Sequence, residues 1–420
     1  MMKDKVFKLL VTLGMMLFFS LSALPLGKLR GYDVGAIVLL VTALMSIWGQ
    51  PKGTFRLRRP DRWLLAAGLL YVVAGFAEVV LDQQPIRGYD HASRFLLTLP
   101  IFLVLLAYPP QAKHLFLSAA VGGLLLGSAS LYTKIVLGIW AGSMGLLSIQ
   151  YACISMVIAA ISLAGIGYFY QCRRFVLCGL CLLGSLMGVV AVFLSTSRGS
   201  WPSILVMLGL MLWVYRHALK PQRIVVVVLL AFGLFAGLYY TPQTTVKFRI
   251  DQAFSDISRW EKADRHSSLG ERFVMWDNAW TLGQQKWFMG WGAQGFVAEK
   301  QRLHAQGELS ATVARYGHPH NELLNAWLKR GLPGALAVLL LYLVPIVTFA
   351  RYLRQTQTVA IRSVALASIS VPVCFMMAGL TQTLLAHNSG VMFYIMALVL
   401  CWGVLRGAVC GHTTATASGR

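Results

Sequence analysis

Residues 332–350 read LPGALAVLLLYLVPIVTFA, nineteen residues without a charged side chain. A helix needs about 20 mainly apolar residues to cross a bilayer, so this run predicts a transmembrane helix. Similar runs recur along the 420-residue chain, which is 57% hydrophobic and only 12% charged. Soluble domains carry roughly 25% charged residues. The sequence therefore predicts an all-α polytopic membrane protein, because helices satisfy their own backbone hydrogen bonds in lipid.

The hydropathy pattern predicts about twelve transmembrane helices. Nine fall within residues 1–241 and three within 332–406, with a short tail at 407–420. Their approximate positions are 7–26, 34–49, 63–81, 95–108, 115–138, 146–166, 175–195, 201–215, 224–241, 332–350, 364–385 and 390–406. The first follows three lysines and resembles a signal peptide, but further spans follow it, which favours a retained helix. The polar residues from His412 onward predict a disordered tail.

Basic residues set the predicted orientation. With a cytoplasmic N-terminus, nineteen Lys and Arg fall in cytoplasmic segments. The short loops on the other side then hold six: Lys28, Arg30, Arg87, Arg94, Lys134 and Arg198. Because loops rich in Lys and Arg remain cytoplasmic, we expect both termini in the cytoplasm and residues 242–331 in the periplasm.

The net charge of +22 suggests nucleic acid in a soluble protein. Here the basic residues lie mainly in short loops, where membrane insertion and anionic lipid headgroups account for them, so no nucleic-acid partner is expected. Seven cysteines lie in or beside apolar segments. Cys178 and Cys181 form a C-x-x-C without a second pair, which favours apolar packing over a metal site.

The segment 242–331 differs from the rest of the chain, since residues 242–320 hold eight of the fifteen acids. A polar stretch of this length between spans is usually functional. A spacing of four residues separates Arg272, Trp276 and Trp280, which places them on one face of a helix. This spacing predicts an amphipathic helix in a large periplasmic loop. Its tryptophans suit either an interfacial belt or a surface for stacking sugars, and the two readings are compatible.

His318-Pro319-His320-Asn321 ends this polar segment. Histidine transfers protons near neutral pH, so His320 is the candidate general base, with His318 a supporting candidate. Asn321 is a good N-cap for a helix running to Arg330. The positive end of that helix disfavours a charged imidazole, so we expect a neutral His320 ring.

Arginines on the same side are candidates for binding phosphate. Arg198 interrupts two apolar spans with no acid nearby in sequence, and Arg272 lies on the amphipathic helix. An arginine near lipid is expensive unless an anion meets it, and its guanidinium fits phosphate well. Snorkelling to headgroups is the alternative for Arg198. Arg265 and Arg315 are weaker supporting candidates.

Neither a metal nor a cofactor is expected. The sequence has no D-x-D, no Walker A and no G-x-G-x-x-G motif, and its acids lack ligand spacing. A nucleotide substrate is therefore not expected, and a donor on this side of the membrane should arrive on a lipid.

Taken together, these residues resemble the signature of the bacterial O-antigen ligase family, in the wider ligase/polymerase superfamily. The resemblance rests on His320-Asn321 followed by Gly331 and Gly334, on Ser197-Arg198-Gly199, on Arg272 with Trp276, and on the glycine-rich residues 290–296. The second His-Asn pair, His387-Asn388, lacks the trailing glycines.

This resemblance implies glycan transfer at the periplasmic face of the inner membrane. An undecaprenyl-diphosphate-linked glycan would be the donor and lipid A–core oligosaccharide the acceptor. His320 would deprotonate the acceptor hydroxyl, while Arg198 and Arg272 would bind the diphosphate. The reaction would need no metal and would invert the anomeric centre.

Three alternatives remain open. An O-antigen polymerase would use the same donor, and a protein O-oligosaccharyltransferase would use a protein acceptor. The non-enzyme alternative is a transporter of lipid-linked glycans. A transporter is expected to carry ionisable residues within its membrane spans. Between their ends, the predicted spans contain essentially one acid, Glu78.

Overall fold

The computed structural model describes residues 2–47, 55–216, 221–262, 267–355 and 358–418, and it confirms the all-α fold. One two-stranded antiparallel ribbon, β1 (Pro25–Leu26) and β2 (Leu29–Arg30), joins the first two helices. The described helices are α1 (Met2–Leu21), α2 (Gly31–Ile47), α3 (Arg59–Leu81), α4 (Asp90–Ala107), α5 (Ala112–Leu131), α6 (Ser148–Gln171), α7 (Phe175–Leu194), α8 (Trp201–Tyr215), α9 (Pro221–Tyr240), α10 (Val246–Glu261), α11 (Ser268–Gln285), α12 (Ala293–Ala305), α13 (Ala311–Arg315), α14 (Glu322–Gln355), α15 (Val359–Gly379) and α16 (Asn388–Ser418).

Every predicted span coincides with one of these helices. Within the described residues, eight helices are long and apolar enough to cross a membrane. They are α3, α4 with the 3-10 turn before it, α5 with the π-turn after it, α6, α7, α14, α15 and α16. The protein is thus a multi-pass membrane protein, and a total of twelve crossings stays a prediction. Helix α16 runs to Ser418, so the prediction of a disordered tail from His412 is wrong over the described residues.

The bundle is centred on α6, α15 and α16, whose apolar stretches are mostly buried within the protein. Helices α5 and α7 approach so closely that a Cβ on Gly123 would collide with the carbonyl oxygen of Gly184. Small residues allow such close backbone contact between helices in membranes. Cys178 and Cys181 of α7 are free thiols, and Cys181 is buried in the bundle, in agreement with a packing role.

The polar segment between α9 and the second part of α14 folds into four helices, α10 to α13. Met275, Leu282, Phe296 and Leu328 are among the residues of its own small apolar core. Helix α11 confirms the predicted helix through Arg272, Trp276 and Trp280, and Ser267 caps it by accepting a hydrogen bond from the backbone N–H of Gly270 at 3.0 Å. The segment therefore forms a packed unit of helices.

Helix α14 is broken at Gly331, which has φ 61° and ψ −160°. A Cβ there would collide with the carbonyl oxygen of Phe288, so glycine is needed. The glycine-rich turn docks on this break, because the N–H groups of Trp291 and Gly292 donate to the carbonyls of Leu328 and Lys329 at 2.6 and 3.0 Å. The break separates the short polar helix after Asn321 from the apolar span that follows.

Candidate active site

Residues 318–321, which we call the histidine segment, lie against the loop that joins α15 to α16. His320 adopts a left-handed backbone conformation with φ 52°. Its Nδ1 lies 2.7 Å from the Oε1 of Gln382. The neighbouring Asn321 donates from Nδ2 to the carbonyl oxygen of Leu380 at 3.2 Å. Two consecutive residues of the segment thus contact one loop, and this contact could not be predicted from the sequence.

Asn321 caps α14, as its residue type predicts. Its Oδ1 accepts a hydrogen bond from the backbone N–H of Leu324 at 3.1 Å. Glu322, in the first turn, is buried, and its Oε2 accepts the backbone N–H of Leu385 at 2.8 Å. The start of α14 is therefore joined to the same loop a third time.

Burial keeps the two histidine rings neutral near pH 7. It lowers the pKa of His320, against the hydrogen bond with Gln382, and the charges of Arg272 and Lys300 lower that pKa further. His318, whose ring centre is 4.4 Å from that of His320, is held at a pKa of about 3, first by burial and then by His320. The expected neutral ring at His320 thus has burial as its main physical cause.

Although no acid lies near Arg198 in the sequence, the fold brings one into contact with it. Its Nη2 lies 3.0 Å from the Oδ2 of Asp256, on α10. The Arg198 side chain is 24% exposed and that of Asp256 only 5%, so the carboxylate is enclosed while the guanidinium keeps one open side. Arg198 can therefore contact a second anion without leaving its partner.

Two further arginines share the surroundings of this carboxylate. Burial lowers the pKa of Arg272 and of Arg249, and the charge of Arg198 lowers both further, while Asp256 opposes it. Arginine remains protonated in proteins. Asp256 thus pairs with one guanidinium group and lies within electrostatic range of two more, and we call Arg198, Arg249 and Arg272 the arginine cluster.

Sequence reasoning missed Arg249. It donates from Nη2 to the Oγ1 of Thr196 at 3.3 Å and from Nη1 to the Oε1 of Gln252 at 2.8 Å. The guanidinium also lies over the ring of Trp140, 5.4 Å from its centre. A signal was present, since Arg249 and Asp256 are seven residues apart and share one face of α10.

Arg272 connects the arginine cluster with the histidine segment. Its charge acts on His320, and Tyr316 acts on Arg272 in turn. The Tyr316 ring packs edge-on against His320, with ring centres 4.9 Å apart. The structure therefore brings the three predicted residues Arg198, Arg272 and His320 into one neighbourhood.

The supporting candidate residues differ in how close they lie to His320. His318 and Asn321 flank His320 and belong to the site. Arg315 is exposed on α13 and lies over the ring of its neighbour Tyr316 at 5.5 Å, so it joins the site only through that ring. Arg265 lies outside the described residues.

Arg198 of the arginine cluster also lines a long apolar groove. Its volume is about 1590 Å³, and α6, α7, α8, α9 and α15 line it. Pockets for small molecules usually measure roughly 300–1000 Å³. Arg198, Phe193 and Trp201 lie at one end, while Arg173 and Arg362 lie at the other, beside the start of α7. The groove thus presents a long apolar surface that ends beside a cationic site.

Glu78 is engaged in an ion pair. Its Oε2 lies 3.0 Å from the Nε of Arg330, and both side chains are 11% exposed. The same guanidinium lies over the ring of Tyr71, 5.3 Å from its centre. This acid of the third predicted span fastens α3 to α14 next to the Gly331 break.

Residues 183–339 match a family model described as O-antigen ligase. Over these residues the chain is similar to the O-antigen ligase family. The match includes the arginine cluster, Asp256 and the histidine segment, and it ends after the glycine pair at Gly331 and Gly334. Gln382 lies beyond it.

A relative of this chain occurs in Haemophilus influenzae (strain Rd), as an uncharacterized protein. The two are 28% identical over 406 residues, which span 96% of this chain and all of the relative. The similarity thus extends well beyond the matched residues, on both sides.

Proposed function

We propose that the protein is an O-antigen ligase. It transfers a glycan from undecaprenyl diphosphate to a hydroxyl of lipid A–core oligosaccharide, at the periplasmic face of the bacterial inner membrane. The match of residues 183–339 to the O-antigen ligase family supports transfer of a lipid-linked glycan, and the donor, acceptor and mechanism named here are the proposal.

One observation carries it: Arg198, which pairs with Asp256 in the arginine cluster, also lines one end of the apolar groove. A polyprenyl diphosphate has the same two parts, an apolar chain and a headgroup with several negative charges. Guanidinium groups bind phosphate oxygens in bidentate fashion, and such charge-assisted bonds are the stronger ones. Arg198 and Arg272 hold the diphosphate in this proposal, and the groove holds the chain.

His320 acts as the general base. Its neutral ring takes the proton of the acceptor hydroxyl while that oxygen attacks the anomeric carbon. The bond from this carbon to the diphosphate oxygen breaks, and its electron pair leaves with the diphosphate, where the arginines stabilise the charge. Attack from the side opposite the leaving group inverts the anomeric centre. The proposed reaction uses no metal and no cofactor.

The orientation follows from the distribution of basic residues. Cytoplasmic termini place α10 to α13 and the histidine segment on the periplasmic side. Lipid-linked donors and lipid acceptors are both confined to the membrane. A site beside the ends of spanning helices lets both reach the same carbon.

The alternatives differ mainly in the acceptor. A polymerase would extend the glycan on its carrier, and a protein O-oligosaccharyltransferase would modify a protein hydroxyl. For a transporter, Glu78 would have to bind or release a solute, and its pairing with Arg330 favours a structural role instead.

The test uses purified protein, a synthetic undecaprenyl-diphosphate glycan, lipid A–core acceptor and EDTA. The products of three proteins are compared by size: wild type, His320→Ala and the matched control His304→Ala, which changes an exposed histidine of α12. We expect one glycan block joined to the core, absent with His320→Ala and present with the control. A ladder of products on the undecaprenyl carrier would identify a polymerase instead. Absence of any product from wild type would overturn the proposed ligase reaction.

A further inference from the structure

We infer that Gln382 is a positioning residue that holds the proton of His320 on Nδ1 and leaves the lone pair on Nε2 for the acceptor hydroxyl. The inference rests on the proposed function for its catalytic meaning. Its structural part, the tautomer of His320, stands on the contacts alone.

The amide oxygen of Gln382 faces the ring. Oε1 accepts the backbone N–H of Thr383 at 3.1 Å, and a backbone N–H can only donate. The atom 2.7 Å from Nδ1 is therefore an acceptor, so Nδ1 must supply the hydrogen. In a neutral imidazole the other nitrogen then carries the lone pair.

The loop around Gln382 is held against the histidine segment on both sides. Leu380 accepts from Asn321 at 3.2 Å, and Leu385 donates to Glu322 at 2.8 Å. These two contacts lie on either side of Gln382 in the loop, and they are made by the two residues that follow His320 in the chain. Because three consecutive residues meet one loop, the amide has a fixed place from which to orient the ring.

The same contact distinguishes the two histidines of the segment. Among the residues that the structure describes, the Nδ1 of His318 is buried and has no hydrogen-bond partner. A base whose tautomer is fixed needs a neighbour that accepts from its other nitrogen, which His320 has and His318 lacks. The geometry therefore points to His320 as the oriented base of the pair.

An amide is a suitable partner in this place. A carboxylate at the same distance would also accept the Nδ1 proton, but its charge would favour the protonated ring. The amide fixes the tautomer and adds no charge, so the ring stays neutral and able to accept a proton. The other titratable or charged groups that act on His320 are Tyr316, His318, Arg272 on α11, Lys300 on α12 and His387 before α16.

The first test observes the tautomer without any transfer reaction. Nitrogen-15 NMR of histidine-labelled protein in bilayers, assigned with His320→Ala, reports which ring nitrogen bears hydrogen. We expect Nδ1–H at His320 in wild type and in the control Gln306→Met, an exposed position on the surface. Gln382→Met should give a mixture of tautomers. The wild-type tautomer retained in Gln382→Met would overturn the inference.

The second test uses pH–rate profiles of glycan transfer. Gln382→Met should lower the rate about 10- to 100-fold, part of the roughly 10²–10⁴-fold that a positioned base contributes. Gln382→Glu should recover most of the rate at high pH. Its acidic limb should move to higher pH, because the carboxylate raises the pKa of His320 and the ring must lose its proton before it can act.

The two experiments separate this inference from the proposed function. If His320→Ala transfers glycan normally, the base role fails, whatever the NMR result. If His320→Ala is inactive while Gln382→Glu leaves the pH profile unchanged, the base role stands and the positioning role fails. Gln382→Glu and Gln382→Met are near-isosteres of glutamine, so at least one is expected to fold.

Discussion

Arg198 and Asp256 pair at 3.0 Å although 58 residues separate them in the chain. The pair joins the turn between α7 and α8 to α10, and it gives the arginine cluster its one enclosed carboxylate. The arginine cluster and Asp256 together carry a net positive charge, and Arg198 of this cluster lines one end of the apolar groove. An anion with an apolar chain satisfies both features.

The first prediction concerns the arginine that sequence reasoning missed. We expect Arg249→Ala to weaken binding of the lipid diphosphate at least tenfold, since losing one partner of a desolvated charge pair costs about 2–5 kcal/mol. Binding of undecaprenyl diphosphate to purified protein measures this. Arg302→Ala, which removes an exposed arginine of α12, is the matched control and should bind as wild type does. Equal affinity in both variants would exclude Arg249 from the diphosphate site.

Asp256→Asn should lower the Tm of the ligand-free protein and increase the rise in Tm that the lipid diphosphate produces. Without ligand, three neighbouring guanidinium groups lose their counter-charge, so the Tm should fall. Added undecaprenyl diphosphate supplies that charge, so its stabilising shift should exceed the wild-type shift. A thermal-unfolding series with and without the lipid measures both. If the lipid raises the Tm equally in both proteins, Asp256 does not balance the charge that binds it.

The break in α14 gives a prediction about folding. Gly331→Ala requires a left-handed φ and a Cβ against the carbonyl of Phe288, so we expect a loss of about 1–3 kcal/mol or more. The comparison is Gly295→Ala on α12, where a Cβ would lie 4.0 Å from the Cβ of Trp291. Thermal unfolding should separate the two clearly. Equal Tm values would mean that the break tolerates a side chain.

The pH dependence of transfer follows from the site. A protonated His320 cannot accept a proton, so the rate should fall as the pH drops through its pKa. Burial lowers that pKa, so the midpoint should lie below the ordinary histidine value of about 6.5. Rates at saturating donor across the acidic range give the midpoint. A midpoint at or above 6.5 would contradict a buried, neutral base.

Much of the fold could be predicted from the sequence, because spans, caps and amphipathic helices are local. The positions of the apolar helices, the cap at Asn321 and helix α11 all depend on residues within a few turns of one another. The break at Gly331 was visible only as a glycine in a motif. Its reason lies in the turn at Gly290 and Gly292, which packs against it.

The candidate site was harder to predict, since its contacts join distant segments. Asp256 reaches Arg198 from another helix, and Gln382 reaches His320 across 62 residues. The sequence spacing of neither pair predicts the contact. The apolar groove depends on how five helices pack, and many apolar faces in the sequence would have suited a lipid chain equally well.

The most direct test separates donor binding from chemistry in His320→Ala. The dissociation constant for the undecaprenyl-diphosphate glycan and the rate of its transfer to lipid A–core would be measured on the same purified protein. We predict wild-type affinity with a transfer rate reduced about 10²–10⁴-fold, because the arginine cluster holds the donor and His320 removes the acceptor proton. Normal transfer by His320→Ala would contradict the account.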